Sequence, residues 1–280
     1  ILMYERLLKL YKNKIIESPQ EFNPSEYYYF YNEKNEVFGI KKDLAENEYE
    51  LIKGMYIEKT FYYNNKMEEK IHQYIFDNGS YPFKNKKYQF MFYKTKAEHE
   101  YINGLLKDIF GSIEVITYHN WDIVFFQNKV ELNIEELFRT ISFDFGKTIY
   151  VHEGFNLNPE TSGKEFLQYI NAFLNTKLTN EKEFSNSASF LYEVSKKEFD
   201  KVALFMKKNI IKIIEENEVF MQVIEAYFIN DLNISQTAAA LYMNRNTLNG
   251  KLVSISKHTG LNIQSFKQAS AILLLLNYKS

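Results

Sequence analysis

Apolar side chains along this chain recur mostly at steps of three and four, interrupted by short alternating or continuous apolar runs, so helices and strands are both expected. Residues 1–13 carry the helical period. Residues 27–31 and 36–40 read as strands, joined by Asn32-Glu33-Lys34-Asn35 as a hairpin. Asp43 with Glu46 three positions on resembles a capping box and predicts a helix to about Met55. Another helix is expected over 67–76. The cluster Asn78-Gly79-Ser80-Tyr81-Pro82 then marks a domain boundary.

From Lys86 the pattern becomes regular. Strands are predicted at 88–93, 113–118, 122–127 and 147–153, the middle two around a tight turn His119-Asn120-Trp121. Between them, Tyr101, Ile102, Leu105, Leu106 and Ile109 line one face of a helix over 97–110. Asn133 caps a second helix bearing Ile134, Leu137, Phe138 and Ile141. A further helix at 164–174 turns Phe166, Tyr169, Ile170, Phe173 and Leu174 inward. The order β-α-β-β-α-β predicts a ferredoxin-like split unit with its helices on one face of an antiparallel sheet. Residues 181–189 are polar and read as a linker. Beyond them Phe199, Val202, Ala203, Met206, Ile210, Ile213 and Ile214 mark a long amphipathic helix. That helix has two readings, a dimerising or signal-passing connector and an ordinary packed helix.

The fold class is therefore α+β and multidomain. The expected parts are a small helix-and-hairpin domain at 1–80, an α+β domain at 84–180, a connector helix at 190–216 and an all-α domain at 217–280.

The last of these carries the chemistry. Residues 235–242 form a small, alanine-rich helical pattern in which Ala238, Ala239 and Ala240 would let another helix approach closely. After a very short turn a second pattern opens on Asn244-Arg245-Asn246-Thr247. It places Leu248, Leu252 and Ile255 on one side, with Asn249, Lys251 and Ser254 on the other. This is the layout of a helix-turn-helix, whose second helix offers a polar N-terminal end to the major groove. Arg suits guanine and Asn suits adenine, because each donates or accepts in pairs. Double-stranded DNA is the expected partner. The candidate contact residues are Ser235, Asn244, Arg245, Asn246, Thr247, Asn249 and Lys251. Ser235 is expected to cap the bracing helix. Asn244, Arg245 and Thr247 could equally hold phosphates at a helix N-terminus.

The same residues carry a family resemblance. Asn233, Ser235, Ala238, Leu241, the run Arg245-Asn246-Thr247-Leu248, then Leu252, Ile255 and Thr259-Gly260-Leu261 resemble the C-terminal helix-turn-helix of PucR/CdaR-type bacterial transcriptional regulators. The resemblance covers about the last sixty residues. Asn249 and Gly250 stand where that family has a basic residue and an aromatic, so sequence preference does not carry over. The resemblance also implies a degenerate GGDEF-like middle domain. Active relatives hold metal and nucleotide on carboxylates of the first strand and central hairpin. The run Tyr88-Gln89-Phe90-Met91-Phe92-Tyr93 has no carboxylate, so no catalysis is expected and the domain is read as sensing or dimerising.

Composition narrows the classes further. The chain has 280 residues, 45% hydrophobic and 25% charged, with a formal net charge of −2. From Glu218 onward there are five Lys/Arg against three acids, so the segment that would meet DNA is positive within an acidic chain. There is no cysteine, which excludes disulfides and cysteine metal sites and predicts a reducing, cytoplasmic setting. Residues 1–13 include Glu5 and do not read as a signal peptide, and residues 271–276 are too short an apolar run to span a bilayer.

Other constellations are discounted. His119, Asp122, His152 and Glu153 could converge on a metal, but His152 and Glu153 are sequential on a strand and face opposite ways. No metal or cofactor is expected. His72, His99 and His258 read as isolated surface residues. The aromatic run 27–31 lacks interleaved Lys or Arg, so sheet packing accounts for it better than nucleobase stacking. Taken together, a sequence-specific homodimeric DNA-binding regulator is expected. The alternative is a small-molecule or nucleotide sensor, or a protein-interaction module, whose middle domain carries the main activity.

Overall fold

The computed structural model describes residues 3–17, 19, 26–34, 36–58, 65–77, 79–84, 86–127 and 132–279, and the chain divides into two compact units, Ile1–Lys66 and Met67–Ser280. The first begins with an amphipathic helix, α1 (Met3–Leu10), followed by β1 (Ile15–Glu17), β2 (Tyr27–Tyr31), β3 (Val37–Lys41), α2 (Glu46–Met55) and β4 (Ile57–Glu58). The strands form an antiparallel sheet in the order β1-β3-β2-β4. Leu7, Phe30, Phe38, Ile40, Ile52 and Tyr56 make its core. Between β2 and β3, Asn32 accepts from the amides of Lys34 and Glu36 through its side-chain oxygen. Asn35, the last residue of the expected hairpin turn, lies outside the described residues. The cap of α2 differs from the expected Asp43/Glu46 pair. The helix starts at Glu46, so its third residue is Glu48, whose carboxylate accepts from the Ala45 amide at 3.0 Å.

The second unit opens with α3 (Lys66–Phe76). Its Ile71, Tyr74 and Ile75 are buried in this unit's core, and the division falls just after its first residue, not at the 78–82 cluster. There follow β5 (Tyr88–Thr95), α4 (His99–Phe110), β6 (Ile113–Tyr118), β7 (Trp121–Phe126), α5 (Ile134–Phe145), β8 (Ile149–Leu157), α6 (Gly163–Leu174), α7 (Leu178–Glu181) and β9 (Phe184–Asn186). The sheet order is β6-β7-β5-β8-β9, antiparallel except for the parallel β8/β9 pair. The first four strands thus take the expected split arrangement. The β6–β7 turn is shorter than expected: His119 and Asn120 have φ of 48° and 55°, and Trp121 is already paired and buried in β7.

Helices cover both faces of this sheet, which corrects the one-sided expectation. Met91, Tyr93, Val124, Phe126, Ile149 and Val151 meet α4 and α5. The alternate residues Phe90, Phe92, Ile123, Phe125 and Phe155 meet α6 and its neighbours. All six residues of β7 are buried, as a strand packed on both sides requires.

The remaining chain continues on the second face. It comprises α8 (Ser187–Glu193), α9 (Lys196–Met206), a π-turn (Lys207–Ile211), α10 (Lys212–Glu215), α11 (Glu218–Ile229), α12 (Ile234–Ala240), α13 (Arg245–Thr259) and α14 (Phe266–Asn277). Residues 181–189 are no linker. Ser185 and Ser187 bond to the carbonyls of Val151 and Glu153, so the polar residues satisfy an added strand and a buried helix start. The amphipathic helix at 196–215 packs against α6, with Val202, Ala203, Phe205, Met206, Ile210, Ile211 and Ile214 buried within the unit. Its π-turn holds buried Asn209, which accepts from the Asn158 amide at 2.7 Å and the Thr161 hydroxyl at 2.6 Å.

Candidate nucleic-acid interface

Helix α11 is capped by Asn217, whose side chain accepts from the Phe220 amide, and buries Phe220, Val223, Ile224 and Tyr227. Helix α12 is capped by Asn233, which accepts from the amides of Ser235 at 3.0 Å and Gln236 at 3.1 Å. The cap is therefore Asn233 and not Ser235, which lies one residue inside the helix and is exposed. Thr237 and Ala238 are buried, whereas Ala239 and Ala240 are exposed, so close helix approach is confined to one alanine. The helix ends in a Schellman arrangement. Tyr242 donates to Ala239 and Met243 to Ala238, with Tyr242 in the left-handed region at φ 53°. The Tyr242 side chain is 99% exposed.

Helix α13 follows after one turn. Asn244 caps it by accepting from the Thr247 amide at 2.8 Å. Leu248, Leu252, Ile255 and Thr259 are buried, against α10, α11, α12 and β8. The opposite side carries the sequence-predicted residues. Arg245, Asn246 and Thr247 are exposed with Asn244, while Asn249 and Lys251 are half-buried. Asn249 accepts from Gln264 at 3.2 Å, so its oxygen already has a protein partner. The first turn contains no acidic residue, and the last turn holds Lys257 and His258. The amides of Arg245 and Asn246 lie at the positive end of a fifteen-residue helix, where an anion is favoured. A Cβ at Gly250 would meet nothing within 4 Å.

The far end of α13 is tied to the sheet. Gly260 ends the helix at φ 80°, and a Cβ there would lie 2.8 Å from the Phe155 Cα, so only glycine allows helix and strand this close. Beside it, Asn156 of β8 donates to the carbonyls of Lys257 and His258. Sequence reasoning missed Asn156, since its partners lie a hundred residues away; it missed Tyr242 because alanine-rich patterning says nothing of a left-handed turn.

The discounted metal group does not assemble. His152 is buried among Phe92, Phe173 and Phe190 and bonds Ser185 and Tyr169, each at 3.0 Å. Burial pushes its imidazole down to about 3. Glu153 lies on the opposite face. Asp122 accepts from the Thr117 hydroxyl at 2.8 Å and lies 2.7 Å from His99, which is therefore paired and not isolated. His72 is not a surface residue either: its ring packs tilted against Phe76 and lies 3.8 Å from Asp77, with its side chain 14% exposed. Among the described residues no three His, Asp or Glu side chains gather as a metal site would need.

Helices α11 to α14 thus form a helix-turn-helix unit with a braced second helix and an exposed, acid-free N-terminal turn. Residues 220–277 match the family of PucR C-terminal helix-turn-helix domains. No curated protein matches the chain. Among solved structures, the regulator of polyketide synthase expression from Bifidobacterium adolescentis matches at 12% identity and a TM-score of 0.32, over 68% of this chain and 80% of that one. Among the described residues no helix is long and apolar enough to cross a membrane.

Proposed function

We propose that the protein is a sequence-specific, double-stranded-DNA-binding transcriptional regulator that acts in the cytoplasm as a homodimer and catalyses no reaction. The observation that carries this reading is the N-terminal turn of α13. Arg245, Asn246 and Thr247 stand exposed there on a helix whose other face is locked into a core. An exposed Arg-Asn pair at a helix tip can read base edges, and the two outward amides can hold a phosphate. Asn244 serves as the cap through its oxygen and keeps its amide nitrogen for DNA. In this reading Ser235, exposed on α12, approaches the DNA backbone, and Lys251 approaches a phosphate. Dimerisation follows from the small size of this surface: a single such tip makes too few contacts for operator affinity, and two-fold pairing doubles them.

The test is binding of the full chain to DNA from upstream of its own gene against a scrambled fragment, at two salt concentrations. Preference that survives higher salt supports the reading, because non-specific phosphate contact fades with salt. Equal and salt-labile binding to both fragments counts against specificity, and absence of binding at low salt counts against the DNA reading itself.

A further inference from the structure

A cleft of about 510 Å³ opens where α13 meets the sheet, within the range of small-molecule sites. One wall is the sheet face at Gln89 and Glu153 with the start of α5 at Glu135, and the other is Lys257, Gly260 and Asn262 from the end of α13 and beyond. Glu153 is half-buried here, and the protein packed round it pushes its carboxyl up to about 7. Among the described residues no Lys, Arg or His forms an ion pair with Glu153, whereas Glu135 is held by Arg139 at 2.9 Å. The lining is otherwise rich in amides and hydroxyls. Lys257 also lines this polar cleft, but among the described residues it forms no ion pair with Glu153, so the half-buried carboxylate is open to a cation that a ligand brings.

We propose that this cleft binds a compact organic cation, an ammonium or guanidinium with further hydrogen-bonding groups, seated on Glu153 and touching the last turn of α13. The ligand spans two parts of the chain that Asn156 already joins, Lys257 and His258 on the helix and β8 on the sheet. Its occupancy therefore bears on the helix that carries Arg245. That consequence rests on the DNA-binding reading, but the binding does not.

Calorimetry on the full chain tests it, with agmatine as the guanidinium probe, putrescine as the diamine and succinate as an anionic control. Saturable binding of agmatine or putrescine is expected, with none for succinate and at least a tenfold weaker affinity in Glu153→Gln. Hydrogen exchange on the unaltered protein gives a second readout that needs no variant. The bound cation should slow exchange over residues 256–262. Failure of both cations to bind, equal binding by E153Q, or protection confined to other segments overturns the proposal. None of these measurements uses DNA, so a failure to bind an operator leaves them untouched.

Discussion

Asn156, on a strand of the central sheet, donates from one side-chain nitrogen to two carbonyls of α13, Lys257 at 2.8 Å and His258 at 2.9 Å. The last carbonyls of a helix have no partner within it, so this residue supplies from the sheet what the helix lacks. Asn156→Ala removes both bonds from a buried position. A loss of about 1–2 kcal/mol is expected. Denaturant unfolding measures the loss, and faster hydrogen exchange over the last turn of α13 locates it. Unaltered exchange there would mean that Gly260 alone holds the helix end.

Arg245→Ala and Asn244→Ala should separate contact from capping. Arg245 is exposed and among the described residues has no side-chain partner to lose, so its variant should keep its melting temperature while operator affinity falls by roughly 1–3 kcal/mol. Asn244→Ala deletes the cap on Thr247 and should cost about 1 kcal/mol of stability as well as affinity. Unchanged affinity in Arg245→Ala removes that side chain from the interface.

Gly250→Ala should raise stability by up to about 1 kcal/mol, since the position is mid-helix and a Cβ finds open space. If the exposed flank at Gly250 approaches DNA closely, the same change weakens binding. Tyr242→Gly is expected to stabilise as well, by relieving a left-handed tyrosine at a helix end. Thermal melts on both variants, set beside their DNA affinities, show whether stability was given up for contact at either place.

Half-buried Glu153 and buried His152, on opposite faces of β8, oppose one another with pH. The Glu153 carboxyl is raised from 4.5 to about 7, so its contribution is full below about pH 4.5 and is lost as pH rises through 7. The His152 imidazole is lowered from 6.5 to about 3, so its contribution is full above about pH 6.5 and is lost as pH falls towards 3. Between about 4.5 and 6.5 the two slopes offset each other. Glu153→Gln should expose the histidine slope, with stability rising steeply from pH 5 to 7. At pH 8 the variant should exceed the parent by up to about 3 kcal/mol. Denaturant titrations at pH 5, 6.5 and 8 decide the point. Parallel curves for variant and parent would place the Glu153 carboxyl in its ordinary range.

Much of this was legible from spacing alone. The three-and-four periodicity located α4, α5, α6 and α13, and the alanine-rich run located α12. The asparagines at 133 and 244 announced helix starts, because a short amide side chain before an apolar period caps in place. Two misreadings share a cause. Residues 184–186 looked like linker because Ser185 and Asn186 are polar, but their partners lie on β8 and on their own helix start. One-sided helices were expected although residues 121–126 are apolar at nearly every position, which marks a strand covered on both faces. The tip of α13 was readable since its polarity is local. Its anchor was not, since Asn156 and Gly260 have meaning only across a long separation in the chain.

The core that runs without a break from Phe90 and Phe155 of the sheet to Leu252 and Leu275 of the helical end has a consequence for protein engineering. Grafting residues 217–280 onto a foreign sensor would expose apolar residues of α11, α13 and α14 wherever β8, α8, α10 and the π-turn had covered those helices. Swaps at that seam should yield insoluble chimeras, whereas fusions made ahead of Met67 keep the apolar interior whole.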